Sequence, residues 1–463
     1  MLKRIPAIVG IGIFLSFLFF SCGNETTAEQ KNDEKVTFAD HVAPVIFKNC
    51  TPCHRPGEAG PFNLLGYADA KKNANKIKFA TQTRYMPPWP ADAEYTHFIN
   101  ERLLSVDDID LIKRWVEGGC LPGDTTKVAP PQFYTGSFFG KPDVVIKMQE
   151  AVPIKGNGTD HFYMVKMPYE LKNDTFVRFI EFVPQQRKLV HHVNGHLVSY
   201  EDAKKKNIFE GKSFWLDIPG SSPDVFKMMG LANDDGTFPV LTPNTVYYLP
   251  GYTPPVYPNE IGGYYLKKKG AFFLKNLHYG PSKSECVDSS CINLFFGPRP
   301  IRPIQETQLG TFGIAPIEPK FDIPANTVKT FVTKWTTPAD ISLLSVNPHM
   351  HLLGKRFWAY ALTPNGDTIR LIRINKWDFK WQYYYTYKHP VKIPVGSTIF
   401  AFGEYDNTMN NKLNPFTPPR DCKERTDMYS MGTTEEMFQF IFTYLPYKAG
   451  DEQIDMEGKR KSN

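Results

Sequence analysis

Asp174–Val183, DTFVRFIEFV, sets Phe176, Arg178 and Ile180 on one face of an extended chain and Val177, Phe179 and Glu181 on the other. It is dense in β-forming residues and reads as a strand. The same reading extends outward to VKTFVTKW (328–335), LIRINKWDFKW (371–381) and STIFAFGEY (397–405). TPNGDT (363–368) places Asn-Gly between two apolar runs, the signal of a hairpin turn. Strands at this density, separated by Pro/Gly turns, predict sandwiches or barrels. The length of the region predicts two all-β sandwich domains, 151–300 and 301–450, with the break near GPRPIRPIQET (297–307).

Upstream the period changes to that of a helix. Thr37 and Asp40 form a plausible N-cap pair before Val42, Val45 and Ile46, and Pro44 predicts a kink or a late start. A second helix is expected from Ser105, with Asp107 and Asp108 in its first turn. Ile109, Ile112, Trp115 and Val116 line one face, and Gly118-Gly119 stop it. Between these helices stands KNCTPCHRPG (48–57), with the Cys-x-x-Cys-His pattern of covalent haem attachment: thiols at Cys50 and Cys53, and His54 on the iron. A bare Cys-x-x-Cys also suits a redox pair or half a zinc site, but the immediate histidine favours haem. Met86 in RYMPPWPAD (84–92) is the expected thioether ligand, with His97 as the weaker alternative. The stretch from Met86 to Gly119 resembles the cytochrome c–type domains fused to bacterial oxidoreductases. The expectation is a small all-α cytochrome c–like domain over 36–124, followed by a linker over 125–150 and, at the far end, a polar tail over 451–463.

The N-terminus reads as an export signal. Lys3 and Arg4 precede an apolar run from Ile5 to Phe20, short for a spanning helix. Ser21-Cys22 resembles a bacterial lipobox, which implies a signal peptide over 1–21, lipidation of Cys22 and a flexible tether over 22–35. The expected location is therefore the bacterial cell envelope, periplasmic or associated with the outer membrane, where haem is attached and disulfides persist. Seven cysteines less Cys22, Cys50 and Cys53 leave Cys120, Cys286, Cys291 and Cys422. Cys286 and Cys291 flank a turn-like stretch suited to a local disulfide, and spacing does not decide whether Cys120 pairs with Cys422. A net charge of +6 over 463 residues is small and spread along the chain, so no nucleic-acid partner is expected. No Ser-His-Asp set, phosphate loop or paired-carboxylate motif is present.

The remaining motifs are rich in histidine. His349 and His351 in NPHMHLLG lie two apart on an expected strand, so both imidazoles leave one face. A thioether joining them, with Met437 in GTTEEMFQF the candidate, biases such a site toward copper. His191 and His192 are adjacent and would point to opposite faces of a regular strand, so a joint role needs a bulge or a strand end. His192 and His196 at i,i+4 would share a helix face, but Asn194-Gly195 disfavours helix.

The ordered set VHH (190–192), LHYG (277–280), HMHLLG (349–354) and GTTEEM (432–437) resembles the copper type II ascorbate-dependent monooxygenases, whose familiar members are peptidylglycine α-hydroxylating monooxygenase and dopamine β-monooxygenase. The resemblance implies two jelly-roll sandwiches with one copper each across a solvent-filled gap. It implies an electron-transfer copper on His191, His192 and His278. It implies a second copper on His349, His351 and Met437, where dioxygen and substrate meet. His196 has no role in that scheme. The arginine and tyrosine that grip a peptide carboxylate in the amidating members are replaced by Asn347 and Ile441, so glycine-extended peptides are not the expected substrate. The expected function is hydroxylation of a C–H bond of a small molecule of unknown identity by O2. One haem c and two copper ions are the expected cofactors. Electrons from an external donor enter through the haem, and a lipid anchors the protein to the membrane. The alternative is a non-catalytic envelope protein that carries electrons or binds copper.

Overall fold

The computed structural model describes residues 35–457 apart from 132, 134–136, 138, 217–223, 253–256, 259 and 427–433. The expected lipidation site at Cys22 lies outside the described residues. Strands hold 37% of the chain and helices 12%, so the protein is mostly β.

The strands fall into two sets that share no pairing across residues 297–304. In the first, a five-stranded sheet runs Phe214–Leu216, His161–Glu170, Lys269–Tyr279, Val190–Ser199, Val240–Tyr248. A four-stranded sheet runs Val144–Lys147, Cys291–Phe296, Thr175–Val183, Tyr264–Leu266. Inward-facing Val165, Val177, Val193, Phe272 and Leu294 from both sheets join one buried cluster, which makes a sandwich. Val144–Lys147 lies within residues 125–150, where a linker is expected, and pairs with Cys291–Phe296.

In the second set, one sheet runs Gln305–Gly310, Phe438–Pro446, Ile341–Met350, Tyr385–Ile393. The other runs Ile317–Glu318, Val328–Thr336, Thr398–Asp406, Gly354–Leu362, Thr368–Ile374. Phe331, Leu343, Phe357, Ala401 and Phe440 belong to their shared core. The Asn365-Gly366 turn closes the hairpin between Gly354–Leu362 and Thr368–Ile374, with Gly366 at φ +89° as such a turn requires. The run 371–381 is strand only as far as Ile374. Cys286 pairs with Ile154 and Cys291 with Lys147, in different sheets, and all six described cysteines are free thiols.

The expected small all-α domain at the N-terminal end is not there. From Val36 onward the chain forms one compact unit. Short helices do form: Ala43–Asn49 carries Pro44 in its first turn, and Val106–Glu117 is capped by Ser105, whose hydroxyl accepts from Asp108 N–H at 3.0 Å. The segment meant to close a helical domain instead belongs to the second sandwich. Ala91 bridges to Ile374, Asp92 N–H donates to Arg373 O at 2.8 Å, and Ile99 N–H donates to Thr386 O at 2.9 Å. Ala91 and Phe98 are buried in the same core as Tyr385 and Ile374. The physical reason lies in Pro87, Pro88 and Pro90, which hold this backbone extended and so able to pair with a sheet. The apolar side chains that follow then bury where the larger core is.

Candidate metal centres

Val190–Ser199 and Lys269–Tyr279 are neighbouring antiparallel strands in which His192 stands directly opposite His278. The register slips between Val190 and His192, so His191 is the extra residue of a bulge. That slip removes the difficulty raised by the adjacent pair, because strict alternation no longer sends one ring to each face. His191 Nδ1 and His278 Nδ1 each lie 3.3 Å from His192 Nδ1, and one ligand atom from each of the three rings lies within 4.8 Å of the others. On its far side His278 Nε2 meets Asp160 Oδ1 at 2.8 Å, the carboxylate–imidazole arrangement that orients metal ligands. Burial, followed by the neighbouring rings, lowers the His191 pKa to about 4 and holds His192 well below the usual imidazole range. Both are therefore neutral at physiological pH, the form that binds a metal. Three imidazole nitrogens suit copper, zinc, iron or nickel.

The second group sits at the end of Ile341–Met350, where His349 stands opposite Gln439 and Met350 opposite Phe438. The next residue on each side is His351 and Met437. The His349 and His351 rings are 5.1 Å apart and nearly perpendicular. His349 Nδ1 meets Gln382 Oε1 at 2.5 Å, and His351 Nδ1 donates to Glu435 O at 2.7 Å. With both Nδ1 atoms engaged, the two Nε2 atoms are those left to bind a metal. Burial lowers the His349 pKa to about 4 and takes His351 well below its usual value, so this pair is neutral too.

One cavity of about 270 Å³ is lined by His192 from the first sandwich and by His349, His351 and Met437 from the second. His196 faces it as well, its Nδ1 accepting from Asn244 N–H at 3.2 Å. Asn347 and Ile441 are on its wall and bring no charge. Lys275, Lys380 and Arg425 do, and no motif pointed to them.

Sequence reasoning also missed Glu436, Gln382 and Asp160. Glu436 is fully buried, and its carboxyl accepts from the N–H groups of His351 at 2.9 Å, Leu353 at 2.7 Å and Met437 at 3.3 Å. Burial outweighs these donors and pushes its pKa up to about 8. The side chain ties the His351 loop to the start of the Met437 strand. A pair of acidic residues before a methionine carries no signal of that role.

The haem motif lies just beyond Ala43–Asn49, with Cys50 and Cys53 half-buried. Burial, then Cys53, pushes the Cys50 thiol up to about 12. His54 Nδ1 meets Phe62 O at 3.0 Å, leaving Nε2 to face an iron atom. A cavity of about 490 Å³ adjoins this loop through Pro52 and Arg55 and is walled by Tyr247, Tyr248 and Arg102. Arg55, Arg102, Arg178 and Arg187 bring guanidinium groups to it, while Cys50, Cys53, His54 and Met86 are not among its lining residues. Met86 opens the segment Met86–Trp89, and His97 is exposed and held by Glu101 at 3.2 Å. Met86 is a candidate iron ligand from the sequence alone.

No family model and no curated protein matches the chain. Among solved structures it is similar to the infectious bursal disease virus Gx strain structure, at 8% identity over 68% of this chain and 75% of that one, with a TM-score of 0.18. The VP2 subviral particle of the same virus matches at 6% identity over 71% and 87%, with a TM-score of 0.15. Scores this low carry no argument about fold or function. Among the described residues no helix is long and apolar enough to cross a membrane.

Proposed function

We propose that the protein is a copper-dependent monooxygenase that hydroxylates a C–H bond of a small molecule, with electrons supplied through a c-type haem on its own chain. The observation that carries this reading is the shared cavity: ligands of two separate mononuclear sites, His192 and the His349/His351/Met437 group, face one space of about 270 Å³. A carrier of electrons has no need of such a space, whereas a substrate does. Copper, when bound, supplies one-electron redox chemistry and activation of dioxygen. A nitrogen–nitrogen–sulfur donor set at the second site fits Cu(I), since thioether sulfur is rare on zinc. The overall balance is substrate C–H plus O2, two electrons and two protons giving the alcohol and water.

The chain's own groups do the rest. Asp160 and Gln382 fix the tilt of His278 and His349, and the Glu435 carbonyl fixes that of His351. Lys275 and Lys380 give the cavity a positive wall. The test is the metal content and visible spectrum of full-length protein matured where haem is attached, followed by oxygen uptake across a panel of C–H compounds. One haem, two coppers and substrate-dependent uptake are expected. Protein that binds both metals yet leaves every compound and the oxygen untouched would return it to the electron carriers.

A further inference from the structure

The segment Trp381–Gln382–Tyr383 touches both histidine groups and the Met86–Trp89 segment. It leads directly into the strand Tyr385–Ile393. The Trp381 ring lies 6.1 Å from that of His191. The Trp381 and Tyr383 rings are nearly parallel, 9° apart in plane, at 6.3 Å. Tyr383 Oη donates to Pro88 O at 3.2 Å, two residues along the chain from Met86, and the Trp89 ring lies 5.5 Å from that of Tyr383. Gln382 holds His349.

Packed rings therefore run without a gap from the Met86–Trp89 segment to a ligand of the three-histidine site. Ordinary core packing explains Tyr385 and Tyr387, which are buried among Phe98 and its neighbours. Tyr383 belongs to that core and Trp381 packs against it, and from Trp381 the row continues beyond the core to the ring of His191.

We infer that Tyr383 and Trp381 form the electron path from the haem to the His191/His192/His278 copper, which makes that site the one reloaded first. The inference rests on the reading that haem and copper are both present. One electron leaves ferrous haem, which becomes ferric, and reduces cupric copper to cuprous. No bond forms or breaks and no proton moves. The rings act as the medium between the two metals and are not themselves oxidised.

The experiment uses the full chain, haem-matured and loaded with copper(II). The haem is reduced without oxygen, haem oxidation is followed by stopped-flow absorbance, and loss of the cupric signal by freeze-quench paramagnetic resonance. Trp381→Leu and Tyr383→Leu are expected to slow haem oxidation by about tenfold or more, because the donor and acceptor lose their packed connection. Trp381→Phe and Tyr383→Phe, which keep a ring, are expected to restore most of the rate. Copper content, the resting cupric spectrum and the haem potential should match wild type in all four. If wild-type haem is oxidised by copper and both leucine variants keep its rate, the path is overturned while the proposed function stands. If the phenylalanine variants are as slow as the leucine ones, or the cupric spectrum shifts with the rate, the rings act by packing and the inference falls. If wild-type haem is never oxidised by copper, the haem inlet and the path fall together.

Discussion

Glu436 holds together the backbone around His351 and Met437, the residues proposed to bind the second copper, without itself being one of the proposed ligands. Its two oxygens accept the backbone N–H groups of His351 and Leu353 at 2.9 and 2.7 Å and, more weakly, that of Met437. All lie in a region from which water is excluded, and Glu436 itself has no exposed surface. Replacing it by alanine leaves these amides without acceptors. With its pKa pushed up to about 8 the carboxyl is largely neutral at pH 7, and hydrogen bonds to a neutral acceptor contribute about 1 kcal/mol each, so the two short ones predict a loss of about 2 kcal/mol. Part of that loss falls on folding and part on ligand placement, because His351 and Met437 flank the clamp. Outer-shell changes of this kind weaken metal binding by about 10- to 100-fold. Glu436→Gln keeps the shape but turns one acceptor oxygen into a donor facing an N–H, so it should fall between alanine and wild type. The assay is copper(I) titration against a competing chelator on a His192→Ala background, which isolates the methionine site, with a thermal melt alongside. Copper affinity and Tm both unchanged in Glu436→Ala would refute the clamp.

Asp160→Asn removes the charge behind His278, and copper at the three-histidine site should weaken by about 10- to 100-fold while the methionine site keeps its affinity, read by the same titration on a Met437→Ala background. Burial raises the Glu306 pKa to about 7, against the opposing bond from Asn244. The folded state therefore holds a proton that the unfolded state has released between about pH 4.5 and 7, and stability falls as pH rises through that window by at most about 3 kcal/mol. Glu306→Gln should melt above wild type at pH 7.5 and level with it below pH about 4.5; equal melting temperatures throughout would count against it. Gly251 has φ +76°, and a Cβ there would run into the Arg102 guanidinium and lie 3.0 Å from Cys53 Sγ. Gly251→Ala should lower haem attachment, measured as the haem-to-protein absorbance ratio, and leave copper binding at both sites intact.

The strand positions were legible because period-two alternation is a local signal. Thr175–Val183, Val328–Thr336 and Thr398–Asp406 all carry it. The clustered histidines were legible as residue types, and the need for a bulge at His191 followed from strand geometry alone. What local pattern does not encode is where an extended segment lands. RYMPPWPAD shows proline and hence no helix, but not that Ala91 and Phe98 would bury in a core some 210 to 350 residues further along the chain. The aromatic run 377–387 looked the same whether its rings packed a sheet or lined a site. Only the fold shows that Tyr385 and Tyr387 lie wholly in the core whereas Trp381, packed on its edge, also meets His191. Asp160, Gln382 and Glu436 were invisible for the same reason: each acts on a partner distant in sequence.

The absence of a free-standing helical domain changes how electrons are expected to arrive. A haem domain on a flexible linker would raise effective concentration, and its rate would depend on linker length and on ionic strength at each encounter. Here the chain beyond the Cys50–His54 loop is fastened to the second sandwich by the Ala91–Ile374 bridge, the Ile99–Thr386 hydrogen bond and the Asp92–Arg373 ion pair at 2.7 Å. Phe98 packs into the core behind them. Delivery from a haem on that loop would be a fixed-distance event, so its rate should be insensitive to salt and to protein concentration. The prolines that disqualified residues 84–92 as helix are thus the feature that joins the chain after the Cys50–His54 loop to the β body.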